Sequence, residues 1–292
     1  MLRVLRQLLE SDQSASQADS KVTLREVLRH DWLEVWYQPK IELATKRLVG
    51  AEALARGRRP DGSIIAPNAF LPGAREADML ALTERVILTA LRDFEECAVN
   101  GASVKFAVNV PISALVKLPL VHLLRENRPQ TNWPGLILEL TETEIMQDLK
   151  LANHVAGELR SLQCTLALDD FGAGYSSLAR LRQLPFTELK IDRSYVTNCH
   201  EDKVHGGLCE TIVALAKRFD LKTVGEGIEK AEEAAKLLEI GCDIGQGYLF
   251  AKPMPKDAFV GALSRRLVGP GRASGKPSAP IKNLTRGALA GK

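Results

Sequence analysis

The sequence predicts an α/β fold of the (β/α)8 kind, a TIM-like barrel, and three observations predict it. Short apolar stretches alternate with longer stretches of helical period along most of the chain. Nearly every apolar stretch ends in a carboxylate, carboxamide or lysine. With 292 residues, 45% of them hydrophobic and 26% charged, the chain can bury a full core.

Residues 1–10 hold Leu2, Val4, Leu5, Leu8 and Leu9, enough for one short helix, and the polar run to residue 20 has little to bury. We read residues 1–20 as a flexible leader rather than an amphipathic membrane foot. A helix leads from Thr23 to Trp32. Residues 33–41 and 48–54 then read as two strands joined by the polar turn Ala44-Thr45-Lys46-Arg47. Further strands are expected at 104–108, 136–140, 165–168, 188–191, 222–224 and near 243–247, with helices over 76–97, 112–127, 144–162, 203–219 and 229–239. Alternation of this kind implies a parallel sheet. The fold closes by residue 268, and Gly-Pro-Gly at 269–271 opens a disordered tail.

The tail over 269–292 carries five Lys/Arg and no acid, so removing it from a chain of net charge +3 leaves the remainder at −2. The body is slightly acidic, which argues against DNA or RNA as a partner. No apolar run approaches the ~18 residues of a membrane span. Five scattered cysteines without a C-x-x-C pair suit a reducing cytoplasm better than a disulfide framework.

The residues at the strand ends are Glu52, Asn109, Glu139, Asp169, Lys190, Glu226 and Gln246, spaced by 57, 30, 30, 21, 36 and 20 residues. These intervals are of the order of one or two βα units of roughly 30 residues. A barrel brings the C-terminal ends of its strands to one mouth, whereas a doubly wound open sheet would spread them along a crevice. The barrel is the better account of so many polar ends. Two of the acids, Asp169 and Asp170, are adjacent, and such a cluster is self-defeating unless a cation joins it. Oxygen donors of this type suit Mg²⁺ or Mn²⁺, and an adjacent pair can bridge two ions.

With these residues in place, the sequence resembles the EAL-domain cyclic di-GMP phosphodiesterase family. The likeness runs from about Thr23 to Leu267. It rests on Tyr37-Gln38-Pro39-Lys40, Glu52-Ala53-Leu54-Ala55-Arg56, Asn109-Val110, Glu139-Leu140-Thr141-Glu142, Asp169 to Leu178, Lys190-Ile191-Asp192-Arg193-Ser194, Gly225-Glu226-Gly227-Ile228-Glu229 and Gln246-Gly247-Tyr248-Leu249-Phe250. The resemblance implies a barrel with an antiparallel first strand, in agreement with the hairpin read at 33–54, and hydrolysis of cyclic di-GMP to linear pGpG with two Mg²⁺ or Mn²⁺ ions per site. By it, Glu52, Asn109, Glu139 and Asp169 ligate one ion, and Asp169, Asp170 and Glu226 the other. Lys190 and Gln246 orient the attacking water, Glu142 and Glu229 join the catalytic set, and Gln38, Arg56 and Asp192 touch substrate. Glu142 tethers the glycine-rich loop after Asp170, and that loop is expected at a homodimer interface.

Four positions depart from the family pattern: Gly57, Arg75, Pro111 and Ala173. None is an expected metal ligand, so altered affinity rather than lost activity is expected. Two rivals stand beside hydrolysis. A catalytically silent cyclic di-GMP receptor or protein-interaction module would typically have lost a ligand, and a lyase of enolase type would need a base placed at a carbon acid. Cys199, His200, His205 and Cys209 have the residue types of a zinc site but not its spacing. His30, His122 and His154 are isolated and read as ordinary surface or core residues.

Overall fold

The computed structural model describes residues 22–99, 104–129, 133–141, 149–172 and 184–264. The leader, the tail, Glu142, and the loop from Ala173 onward with its expected dimer contact lie outside them. Among the described residues the strands are β1 (Leu33–Glu42), β2 (Leu48–Arg58), β3 (Ile64–Ile65), β4 (Lys105–Asn109), β5 (Leu136–Thr141), β6 (Thr165–Phe171), β7 (Phe186–Ile191), β8 (Lys222–Gly225), β9 (Ile244–Gly245) and β10 (Met254–Pro255). The helices are α1 (Leu24–Arg29), α2 (Pro67–Phe70), α3 (Glu76–Val99), α4 (Ile112–Lys117), α5 (Leu120–Asn127), α6 (Leu149–Ser161), α7 (Arg193–Val196), α8 (Lys203–Arg218), α9 (Ala231–Glu239) and α10 (Lys256–Ser264).

Eight strands close into a ring in the order β1-β2-β4-β5-β6-β7-β8-β9 and back to β1. From β2 to β9 all neighbours are parallel, while β1 is antiparallel to both β2 and β9. The expected barrel and its reversed first strand are both present. Strand alternation sorts the side chains. On β1, Tyr37 faces the helices, where its hydroxyl donates to buried Asp93 of α3 at 2.7 Å and its ring meets Phe106 and Phe259. Its neighbour Gln38 faces the barrel interior, where it meets Gln246. The main core lies between barrel and helices, and a small separate cluster of Ala107, Ile137 and Ala167 lies apart from it.

The structure corrects several boundaries. The helix expected over 112–127 is two helices, because Leu118 precedes Pro119 and takes an extended conformation (φ −86°, ψ 143°), the region a pre-proline residue prefers. The helix expected from Thr23 to Trp32 stops at Arg29; Thr23 and Glu26 form a reciprocal capping box at its start. β2 runs on to Arg58, so Glu52 stands mid-strand rather than at its end. Its pairing with β4 nevertheless stops at Ala53, and β2 continues past the barrel wall with β1 and β3 as partners. The helix Lys256–Ser264, which packs on α3 and β1, was not expected.

Candidate active site

The inward residues of β2, β5, β6 and β7 and those just beyond β8 and β9 meet in one buried polar cluster. Lys190 of β7 stands at its centre, with its Nζ 2.7 Å from Glu139, 2.7 Å from Glu226, 3.1 Å from Asp169 and 3.9 Å from Glu52. Burial alone would depress this ammonium. The charges of Asp169, Glu139, Glu226 and Glu52 outweigh that and hold it well above its ordinary value.

The same cluster sets its carboxylates apart. Burial works to raise Glu139, but Lys190 and Lys40 pull it down to about 2. Burial raises Glu226 to about 8, with Lys190 opposing and Asp169, Glu52 and Glu139 adding to the rise. Asp170 is pushed up to about 10 by burial, by the charges of Asp169 and Glu226, and by a hydrogen bond with Asp192. Asp170 also adopts a left-handed backbone (φ 54°), which Asp tolerates better than most residues, and its N–H donates to Asp169 Oδ1 at 3.0 Å.

Amides hold the other side. Glu52 accepts from Asn109 Nδ2 and from Gln246 Nε2, both at 2.6 Å, and Gln246 also donates to Gln38 at 3.1 Å. Gln38 in turn donates to the Ala251 carbonyl. Arg56 is fully buried beside the Trp36 ring and donates to the Ala55 carbonyl. Asp192 caps α7 by accepting from the Ser194 N–H at 2.8 Å. Glu229 is half-exposed and paired with Arg193 at 2.7 Å. The cluster therefore assembles Gln38, Glu52, Asn109, Glu139, Asp169, Asp170, Lys190, Glu226 and Gln246, while Arg56, Asp192 and Glu229 flank it.

Asp169, Asp170 and Glu226 each place a carboxylate oxygen within 4.8 Å of the other two, all three residues buried. Among the described residues no other group of His, Cys, Asp or Glu converges in this way. Three buried oxygens fit a hard divalent cation. Cys199, His200, His205 and Cys209 form no such group; the two thiols are buried, and His205 Nδ1 is 2.9 Å from the Thr197 carbonyl oxygen.

Sequence reasoning missed two charged residues one layer deeper. Lys40 of β1 is fully buried, with Nζ 2.6 Å from Glu139 Oε1 and 3.9 Å from Glu188 Oε2. Strand period supplied a signal: Lys40 lies two residues from Gln38, and Glu188 two from Lys190, each on the same strand face.

The sequence profile of the EAL domain matches residues 21–253. The chain belongs to the EAL domain family. Curated EAL-containing relatives include the cyclic di-GMP phosphodiesterase NbdA of Pseudomonas aeruginosa, 36% identical over 81% of this chain and 31% of NbdA. RocR of the same organism is 34% identical over 78% of this chain and 59% of its own. PdeR of Escherichia coli is 34% identical over 81% of this chain and 36% of its own. The chain thus spans about a third to three fifths of the length of these relatives. Among solved structures, the EAL barrel resembles the PaMucR phosphodiesterase in complex with c-di-GMP (TM-score 0.73, 32% identity, 87% of this chain and 99% of that one). It also resembles the EAL enzyme Bd1971 bound to cAMP and cyclic di-GMP (TM-score 0.75, 27% identity, 90% of this chain and 68% of that one). Where the family pattern has an aromatic, this EAL chain has Gly57, and a Cβ there would lie 3.0 Å from Ile65 Cβ. The β2–β3 hairpin leaves little room for a larger side chain.

Proposed function

We infer that the chain hydrolyses one phosphodiester of cyclic di-GMP, giving linear pGpG, with Mg²⁺ or Mn²⁺ as cofactor. The observation that carries this reading is the buried set Asp169, Asp170 and Glu226 at the mouth of the barrel, with Lys190 paired to Asp169 and Glu226. Its support from outside the chain is the likeness to named cyclic di-GMP phosphodiesterases and to a c-di-GMP complex.

Glu52, Asn109, Glu139 and Asp169 would hold one ion, and Asp169, Asp170 and Glu226 a second. Bound divalent ions supply Lewis acidity, which lowers the pKa of water toward neutrality and offsets charge developing on the phosphoryl oxygens. The chain's own groups do the rest. Asn109 and Gln246 donate to the two oxygens of Glu52 and fix its orientation. Lys190, held fully charged by its neighbours, keeps a permanent cation where an oxyanion would develop. Arg56, beside Trp36 and outside the acidic cluster, offers a guanidinium to the anionic dinucleotide. Burial of the cluster excludes bulk water and strengthens each of these interactions.

We place this activity in the cytoplasm, since all five cysteines are free and buried and no described helix is long and apolar enough to cross a membrane. A homodimer through the loop after Asp170 belongs to the same reading, to be checked by light scattering. The deciding experiment incubates the purified chain with cyclic di-GMP and Mg²⁺ or Mn²⁺ and resolves products by chromatography. Formation of pGpG is expected; binding without turnover with either ion would sink the hydrolytic reading in favour of a receptor.

A further inference from the structure

Lys40 enters the barrel from β1, opposite Gly50 of β2, and reaches β5, three strands round the ring, to meet Glu139. Gly50, Ala107 and Ala167 are small, so the lumen below the acidic cluster has room for a long side chain to cross. An apolar chain of similar length would fill that space without the desolvation cost of a buried ammonium. The ammonium is instead matched on two sides, closely by Glu139 and more distantly by Glu188. Lys190 is divided among four carboxylates and fixes none of them alone. The close contact of Lys40 goes to Glu139 alone, and to the oxygen that Lys190 does not hold.

We propose that Lys40 is a positioning residue for the metal site: it pins Oε1 of Glu139, so that this carboxylate keeps one orientation when Lys190 turns to other partners. Glu188 balances the ammonium from β7 and keeps it in the lumen. The proposal rests on the two-ion reading, in which Glu139 is a ligand.

The test is a Mn²⁺ titration of the full chain, read as loss of the free-ion signal in electron paramagnetic resonance, with circular dichroism as a check on folding. Lys40→Met is expected to weaken Mn²⁺ binding about 10-fold or more, the usual scale for losing a group that orients a metal ligand. Charge alone acts in the opposite sense, since deleting a cation beside the ligands favours a divalent ion. Weakening in a folded variant therefore reports the lost anchor. Lys40→Gln stays polar in the lumen, which guards against misfolding of the methionine variant. Its amide is one bond short of the contact, so the same weakening is expected. Lys40→Arg keeps both charge and donors and is expected to recover most of the affinity. Glu139→Gln separates the two readings. If the wild-type chain binds no Mn²⁺, or Glu139→Gln leaves binding unchanged, the two-ion reading falls and this proposal with it. If Glu139→Gln weakens binding while Lys40→Met and Lys40→Gln bind as well as wild type or better, this proposal alone is overturned.

Discussion

Asn109 Nδ2 donates to Glu52 Oε1 at 2.6 Å, joining the carboxamide that ends β4 to a carboxylate in the middle of β2. A glutamine at 52 keeps the shape and an acceptor for this contact but not the charge. Glu52→Gln is expected to cut hydrolysis more than about 100-fold, the scale of losing a few kcal/mol of metal-supplied stabilisation. Its melting temperature should stay within about 4 °C of wild type, as a loss near 1 kcal/mol moves a domain of this size by roughly that much. Pairing product chromatography with calorimetry checks both halves, and a collapse of the fold would make Glu52 structural.

Removing the central cation has a different signature. Lys190→Met leaves Glu139, Asp169, Glu226 and Glu52 facing one another. The metal-free chain should lose about 3–5 kcal/mol, the usual cost of orphaning a buried ion pair. Added Mn²⁺ should restore part of that stability without restoring turnover. Urea unfolding of the variant in EDTA and in Mn²⁺ measures the difference; equal stability of the variant in both would show that its carboxylates do not take up the ion.

The raised carboxylates make the metal-free chain pH-sensitive. Between about 4.5 and 8 for Glu226, and between about 3.8 and 10 for Asp170, the folded state holds protons that the unfolded state has released. Stability in EDTA must then fall as pH rises through that range. Glu139, held down near 2, acts in the other direction and only below about 4.5. A melting temperature in EDTA that drops from pH 6 to pH 9, and drops less with Mn²⁺ present, is the expected result. A profile that climbs over that interval would contradict the assignment.

Tyr195 of α7 donates its hydroxyl to the Gly172 carbonyl, two residues beyond Asp170. Gly172 has φ +99°, and a Cβ there would lie 2.7 Å from the Tyr195 ring. Tyr195→Phe should cost about 1 kcal/mol, one hydrogen bond. Gly172→Ala should cost more, about 1–3 kcal/mol, from backbone strain and the ring contact together. Both should weaken Mn²⁺ binding through Asp170, and isothermal titration of the two variants checks the order.

The residues of the buried polar cluster were legible because they fall where polar side chains break an apolar strand, and the β1–β2 hairpin because the turn Ala44-Thr45-Lys46-Arg47 separates two segments rich in strand-forming residues. Lys40 and Glu188 were hidden by their resemblance to ordinary surface charges. Strand period puts them on the faces of Gln38 and Lys190, and the closed ring turns those faces inward, one layer deeper. The break at Pro119 was written in the sequence but outweighed by helical periodicity on either side. The extension of β2 beyond Leu54 was not legible, since residues 55–58 mix small and basic residues and owe their strand to β1 and β3.

The reversed direction of β1 also decides where the chain arrives. Leu33 pairs with Gly57, at the far end of β2, and the strand then descends toward the base of the barrel. Ahead of it, Arg25 of α1 is bonded to Asp78 in the first turn of α3, the helix that leaves that same upper rim. In an all-parallel barrel the incoming chain would reach the opposite end. Here any module fused ahead of Val22 is tethered on the side of the barrel mouth, where Asp169, Asp170 and Glu226 converge. Covalent geometry alone makes the rim its first neighbour.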